Sequence, residues 1–376
     1  MIYLDNAATT LVLPEILNSL KDLYSEYFAN PNSVHKEGQK ARHLIEKSRF
    51  SIAEYLGCKS DEIIFTSCAT ESNNLAIFGL AESYPDKNHI ITTPIEHKSV
   101  LMPLRQLSKK GYKVDFVKVD KNGVVDLDHL KSLITTKTLL VCVIHGNNET
   151  GVLQNLKEIG KICKEKDVVF FTDTVQSFCK ENIPIEYVDM FSVSGHKINA
   201  PKSIGILYKK ENIKLQPIIF GGGQEKGLRS GTQSPPLVHS LYMAIDYWQK
   251  NKEDLVNHLN SLRYTFEKKI KENIPNLHIV GENVSRLPNI TNVIFPKVDA
   301  QSLIIALDTQ GIEVSSGSAC SSGTPTPSHV LTAYGYSEKE ALSSVRFSFG
   351  IFNTLEDIDI AVEKITDIYK DLTFFL

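Results

Sequence analysis

Between about residues 38 and 210 the chain alternates short apolar runs with amphipathic stretches, and this rhythm restricts the fold more than any other feature of the sequence. Ile63-Ile64-Phe65, His89-Ile90-Ile91, Val114 to Val117, Leu139 to Ile144, Val168 to Phe171, Met190-Phe191 and Ile204 to Leu207 are short, β-branched or aromatic, and bounded by Gly, Pro, Asp, Ser or Thr. They read as strands. Thr70 to Ser83 and Asn155 to Lys166 read as helices, the second with Asn155 at its cap and Glu158 three residues on. Alternation of this kind implies an α/β fold: a mainly parallel seven-stranded sheet with helices on both faces. Ligands then belong in the loops that leave the C-terminal ends of the strands.

After Gly231 the texture changes. A long helical stretch runs from about Leu237 past Lys271, followed by two strands, a helix from Asp299 to Gln310, a Gly/Ser/Thr/Pro loop and a last helix starting at Thr354. A chain of 376 residues exceeds the roughly 100–200 that one core usually serves. We therefore expect a large domain over 14–252 and a smaller α+β domain over 1–13 and 253–376. The composition, 42% hydrophobic and 23% charged, is that of a globular chain. A net charge of −3 gives no broad field for nucleic acid or anionic membrane. No apolar run approaches the roughly 18 residues of a membrane span, and Met1 to Asp5 lack the pattern of a signal peptide. The expectation is a soluble, cytoplasmic protein. Its six cysteines (Cys58, Cys68, Cys142, Cys163, Cys179 and Cys320) include no C-x-x-C pair, which argues against a disulfide framework or a structural zinc site.

The chain has no G-x-G-x-x-G, no G-x-x-x-x-G-K-[ST] and no H-E-x-x-H, so dinucleotide, nucleotide and zinc-protease chemistry recede. The strongest positive signal is Ser192-Val193-Ser194-Gly195-His196-Lys197, directly after a strand. A lone lysine there would ordinarily be solvated. With hydroxyls, a glycine and a histidine around it, Lys197 has the setting of a desolvated amine that forms a Schiff base with a carbonyl compound. Such a lysine needs an electron sink, and pyridoxal phosphate makes recognisable demands. An acid must keep the pyridine nitrogen protonated. Asp173 ends a strand 24 residues before Lys197, with Gln176 three residues on. The phosphate needs helix-start amides and hydroxyls, which Ser67-Cys68-Ala69-Thr70-Glu71 offers after the Ile63 strand. The ring needs a face partner. His97, in Pro94-Ile95-Glu96-His97-Lys98, follows another strand and can also move protons near neutral pH. His145-Gly146-Asn147-Asn148 ends a further one.

Cys320 lies in a segment, 315 to 327, in which eleven of thirteen residues are Gly, Ser, Thr or Pro. A thiol there has no core to pack into. With a pKa of ~8.5 it is only a few per cent thiolate at pH 7 and needs local activation to be a strong nucleophile. A pliant loop suits a thiol that receives sulfur in one place and passes it on in another. Arg346 lies among apolar residues in Ser343-Ser344-Val345-Arg346-Phe347-Ser348. It needs a partner there, either an internal carboxylate or the carboxylate of an amino-acid substrate.

With these residues in view, the chain resembles the cysteine desulfurases of the NifS/IscS type, fold-type I pyridoxal-phosphate enzymes of the class V aminotransferase family. The likeness runs from Tyr3-Leu4-Asp5-Asn6-Ala7-Ala8-Thr9-Thr10 through Thr66 to Ser72, Ser194 to Lys197, Gly221 to Glu225 with Arg229-Ser230-Gly231-Thr232, and Ser315 to Cys320, as far as Arg346-Phe347-Ser348. The resemblance implies that Lys197 holds the cofactor through its amine, Asp173 pairs with the pyridine nitrogen, Gln176 bonds the ring hydroxyl oxygen and His97 stacks on the ring. It implies that Ala69, Thr70, Ser194 and His196 bind the phosphate, with Thr232 reaching it from the other subunit of a homodimer. Asn148 and Arg346 would hold the carboxylate side of L-cysteine. Cys320 would accept the sulfur, leaving alanine, and pass it to an iron–sulfur scaffold, a tRNA-thiolating enzyme or another acceptor protein. No resident metal is implied, only a transient iron–sulfur contact at Cys320, and no direct nucleic-acid or membrane partner. Cys68, Ala200 and Ser203 stand where many members have Gly, which questions the local backbone. Selenocysteine lyase, cysteine-sulfinate desulfinase and other aminotransferases share the fold, but the Cys320 loop speaks against them.

Overall fold

The computed structural model describes residues 1–317 and 326–374. In chain order the elements are β1 (Ile2–Tyr3), α1 (Pro14–Glu26), α2 (Lys36–Leu56), β2 (Ile63–Thr66), α3 (Ala69–Ser83), β3 (His89–Thr92), α4 (Lys98–Lys109) and β4 (Lys113–Phe116). Then come α5 (Leu127–Leu133), β5 (Thr138–Cys142), α6 (Leu156–Glu165), β6 (Val169–Asp173), β7 (Met190–Ser194) and β8 (Gly205–Lys209). The remainder is α7 (Pro235–Asn273), β9 (His278–Ile279), β10 (Ile290–Ile294), α8 (Ala300–Thr309), β11 (Ile312–Glu313), α9 (His329–Ala333), α10 (Glu338–Leu342), β12 (Ser344–Ser348) and α11 (Leu355–Thr373).

Seven strands form one sheet in the order β2-β8-β7-β6-β5-β3-β4. Strands β3 to β7 pair in parallel, while β8 runs antiparallel to both β7 and β2. Six of the seven strands therefore point the same way, and the expected mainly parallel sheet is present. Its central strands β5, β7 and β8 are buried along their whole length. Helices cover both of their faces, so they lack the polar alternation of a one-sided sheet. Two glycines permit close approaches. A Cβ on Gly160 of α6 would lie 2.3 Å from the Tyr187 carbonyl. One on Gly205 would lie 2.6 Å from the Val193 carbonyl and 2.9 Å from Cys68 Cα. Gly205 thus lets the loop before α3 settle onto the sheet.

The C-terminal part holds a three-stranded antiparallel sheet, β12-β10-β9, beside the parallel pair β1-β11. The N-terminal segment pairs with this part: Ile2 lies opposite Ile312, and Ser348 donates its N–H to the Leu4 carbonyl at 2.7 Å. The expected boundary after residue 252 falls inside α7. Early in that helix Trp248 Nε1 donates to Asn199 Oδ1 at 3.2 Å. Farther along, Glu267 pairs with Arg286 at 2.8 Å and His258 meets the Asn353 carbonyl at 2.9 Å. One continuous helix therefore runs through the expected boundary. Thr354 and Asp357 cap α11 reciprocally, as their spacing predicts. Among the described residues no helix is long and apolar enough to cross a membrane.

Candidate active site

The parallel strands end along one edge of the large sheet, and a cavity of about 620 Å³ opens there. Strand β7 stops at Ser194, and the single turn Gly195–Lys197 carries Lys197 over the edge. The Lys197 amine donates to the carbonyl oxygens of Ala7 at 2.5 Å and Ala8 at 2.6 Å. Burial, reinforced by the Arg346 cation, pulls its pKa down to about 7 despite the opposing Asp5 and Asp173. An amine at that value is half neutral at physiological pH, as a carbonyl-attacking lysine must be.

Asp173 is the last residue of β6 and is 4% exposed. Its Oδ1 accepts from the Val175 N–H at 3.0 Å and its Oδ2 from Asn73 Nδ2 at 3.1 Å. Gln176 lines the cavity, with one amide hydrogen committed to the Ala7 carbonyl at 2.9 Å. Across the sheet edge, α3 begins at Ala69 without a side-chain cap from Cys68. The Ala69 N–H reaches Ser194 Oγ at 3.0 Å. Ala69, Thr70, Ser194 and His196 all line the cavity. Helix-start amides with no cap are a ready anion site. The carboxylate, the depressed amine and the uncapped helix in one cavity therefore fit a phosphorylated pyridine aldehyde. Cys68 has φ −174°, an extended conformation open to any residue, so its replacement of Gly leaves the loop unstrained. Ser203, with φ +69°, does sit in the left-handed region.

His97 lines the same cavity and caps α4: its Nδ1 accepts the Ser99 N–H at 3.1 Å. Ser99 Oγ lies 2.7 Å from the same nitrogen and takes a hydrogen bond from Asn73 Nδ2 at 2.8 Å. Burial chiefly holds the His97 pKa below the usual histidine range. The neutral ring therefore carries its proton on Nε2, and Nδ1 is not free to accept one.

Arg346 has an internal carboxylate partner at its buried position. Its Nη2 pairs with Asp5 at 2.7 Å and its Nη1 donates to the Asn148 carbonyl at 2.9 Å, while the side chain still lines the cavity beside Asn148. Thr232 is exposed and does not line this chain's cavity. Cys320 lies outside the described residues, although Gly317 and Thr326 on either side both line the cavity. Among the described residues no three His, Cys, Asp or Glu side chains converge as metal ligands.

Sequence reasoning missed several participants. The carbonyls of Ala7 and Ala8 carry no side-chain signal, and Asn73 is a mid-helix residue without one. Glu149 follows Asn148 directly and is 3% exposed. Burial raises its pKa to about 7, and it accepts a hydrogen bond from Ser328 Oγ. His329, next to Ser328 at the start of α9, also lines the cavity.

The chain is also similar to known proteins over nearly its whole length. The family description "Aminotransferase class-V" matches residues 2–360. The chain is 39% identical over 376 residues to a protein named cysteine desulfurase IscS from Dictyoglomus turgidum, covering 99% of this chain and 95% of that one. It is 43% identical to the protein of the same name from Rickettsia massiliae, covering 97% and 90%. A solved NifS-like protein from Rickettsia africae superposes with a TM-score of 0.90 at 37% identity, covering 98% of this chain and 99% of that one.

Proposed function

The chain belongs to the class-V aminotransferase family and is a pyridoxal-phosphate-dependent cysteine desulfurase, and we propose that the residues gathered in its cavity divide the work as follows. Lys197 holds the cofactor through its amine. Asp173, fixed by the Val175 N–H and Asn73, faces the ring nitrogen, and Gln176 the ring oxygen. The start of α3 with Ser194 and His196 takes the phosphate. His97 covers the ring and presents its Nε2–H. Asn148 and Arg346 take the substrate carboxylate. When bound, the cofactor supplies an electron sink that makes the Cα–H and Cβ–S bonds of L-cysteine cleavable. Lys197, with its amine free, would take the Cα proton. Cys320 receives the sulfur as a persulfide, leaving alanine. The observation that carries this reading is the depressed amine of Lys197 in one cavity with a buried carboxylate and an uncapped helix start.

The reading extends to partners. The division into a domain over 14–252 and one over 1–13 and 253–376 puts the cofactor on the first and the sulfur-accepting loop on the second. Exposed apolar side chains, among them Phe28 (73%), Val34 (89%) and Phe220 (82%), support a homodimer that brings Thr232 to the neighbouring phosphate. An iron–sulfur scaffold or another acceptor protein takes the sulfur from Cys320. Free thiols at the five described cysteines favour a reducing, cytoplasmic setting.

The test is alanine release from cysteine, selenocysteine and cysteine sulfinate. Cys320→Ala is expected to bind cysteine with an altered visible spectrum yet transfer almost no sulfur, and Lys197→Ala to lose the visible absorption of the bound cofactor. Normal cysteine turnover by Cys320→Ala rules out the sulfur-accepting role.

A further inference from the structure

Lys180, on the turn that follows β6, is 5% exposed and does not line the cavity. The turn winds it into place. The Phe178 N–H bonds the Thr174 carbonyl at 2.7 Å, the Lys180 N–H bonds the Ser177 carbonyl at 2.9 Å, and Cys179 between them is held at φ +65°. A side chain in that left-handed region persists only where its surroundings enforce it.

From there the Lys180 amine donates to two main-chain carbonyls, that of Gln176 at 3.2 Å and that of Lys197 at 3.3 Å. It also stands 5.4 Å from the ring centre of Trp248, which is fixed in turn by its Nε1–H bond to Asn199. Among the described residues no carboxylate pairs with this amine. A buried cation without a counter-ion is costly, and carbonyls are satisfied as well by a neutral donor. The charge therefore needs a reason of its own. Both carbonyls belong to residues on the cavity wall, Gln176 and Lys197. We propose that Lys180 is a positioning residue for the cofactor site: its ammonium ties the main chain of Gln176 to that of Lys197 and keeps an unpaired positive charge beside the reactive lysine.

A second cation disfavours the protonated form of a neighbouring amine. Lys180 acts on Lys197 in that direction, behind burial and the Arg346 cation, with Asp5 and Asp173 opposing. Burial lowers the pKa of Lys180 itself to about 8, so most of it is charged at pH 7. Glu181 favours that charge, whereas the Cys179 thiol, pushed up to about 12 by burial, is neutral there. Lys252 of α7 acts on both of these neighbours. On the Lys197 side, His97 and His196 are held below the usual histidine range, chiefly by burial.

The assignment rests on Lys197 being the lysine that holds the cofactor, and one set of measurements separates the two. In cofactor-loaded enzyme the visible band changes as the nitrogen joining Lys197 to the cofactor gives up its proton. Lys180→Gln keeps a donor but no charge, and its midpoint is expected to rise by roughly 0.5–1 pH unit. Lys180→Arg keeps donors and charge and should titrate with the wild type. A merely structural lysine would lower Tm in the Gln variant and leave the midpoint in place. That result overturns the assignment, as does an Arg variant that shifts as far as Gln. In wild-type holoenzyme labelled with ¹⁵N-lysine, the Lys180 nitrogen should be an ammonium at pH 7. A neutral amine there overturns the assignment even if the variants fail to fold. A wild type that gains no visible band with pyridoxal phosphate, or a band that survives Lys197→Ala, instead sinks the reading of Lys197, and this assignment with it.

Discussion

An amine attacks an aldehyde only when it is neutral, so the pKa of Lys197 should be visible in how fast the apoprotein captures its cofactor. Because that pKa is about 7, the capture rate is expected to climb through pH 7 and level off above pH 8. A rate still rising steeply at pH 10 would mean an ordinary lysine. Glu96 is 1% exposed, and burial lifts its pKa to about 8 although Thr93 and the Ile144 N–H bond its Oε1. The folded chain thus keeps this proton up to about pH 8, whereas the unfolded chain releases it near 4.5. Stability contributed by the protonated acid is present at low pH and lost as pH rises through that window. Glu96→Gln should flatten the dependence of Tm on pH between 5 and 8 and, by pH 8, gain on the order of 2–4 kcal/mol over the wild type. Parallel Tm curves for the two proteins would contradict this.

At the scale of elements, much was legible because the rules involved are local. The seven strands, the caps at Asn155, Asp299 and Thr354, and the delivery of Asp173 and Lys197 to one sheet edge follow from patterning and turn chemistry. Strand ends moved by one to three residues, as with β6, which runs on to include Asp173 itself, and β7, which runs on to Ser194. What stayed hidden depends on atoms that patterning does not mark. Main-chain carbonyls of Ala7 and Ala8 hold the Lys197 amine, and Asn73 joins Asp173 to Ser99 from within a helix. The replaced glycines also separate at this scale. Cys68 is unstrained, but Ser203 holds φ +69° on an exposed turn. A side chain in the left-handed region costs about 1 kcal/mol, part of which glycine's greater unfolded freedom takes back. Ser203→Gly should therefore raise stability by about 0.5–1 kcal/mol, a Tm gain of roughly 1–2 °C. An unchanged or lower Tm would show that the serine makes a compensating contact.

For the whole molecule, the question is whether a single chain completes its own site. If Thr232 serves the neighbouring subunit, mixing Lys197→Ala and Thr232→Ala chains under conditions that exchange subunits assembles one site with both native residues in each mixed dimer. Random exchange should then recover up to about a quarter of wild-type sites, read as alanine formation above the sum of the separate variants. No gain on mixing would place Thr232 with its own chain. Within a single chain the same dependence on remote partners is already visible. Asp5 pairs with Arg346, and Ala7 and Ala8 hold Lys197. Leu4 and Ser348 share a hydrogen bond across 344 residues. During synthesis the segment that cradles the reactive lysine leaves the ribosome well before β12, which supplies its partners Arg346 and Ser348. The nascent polypeptide thus cannot close this grip on its coenzyme before β12 has been made.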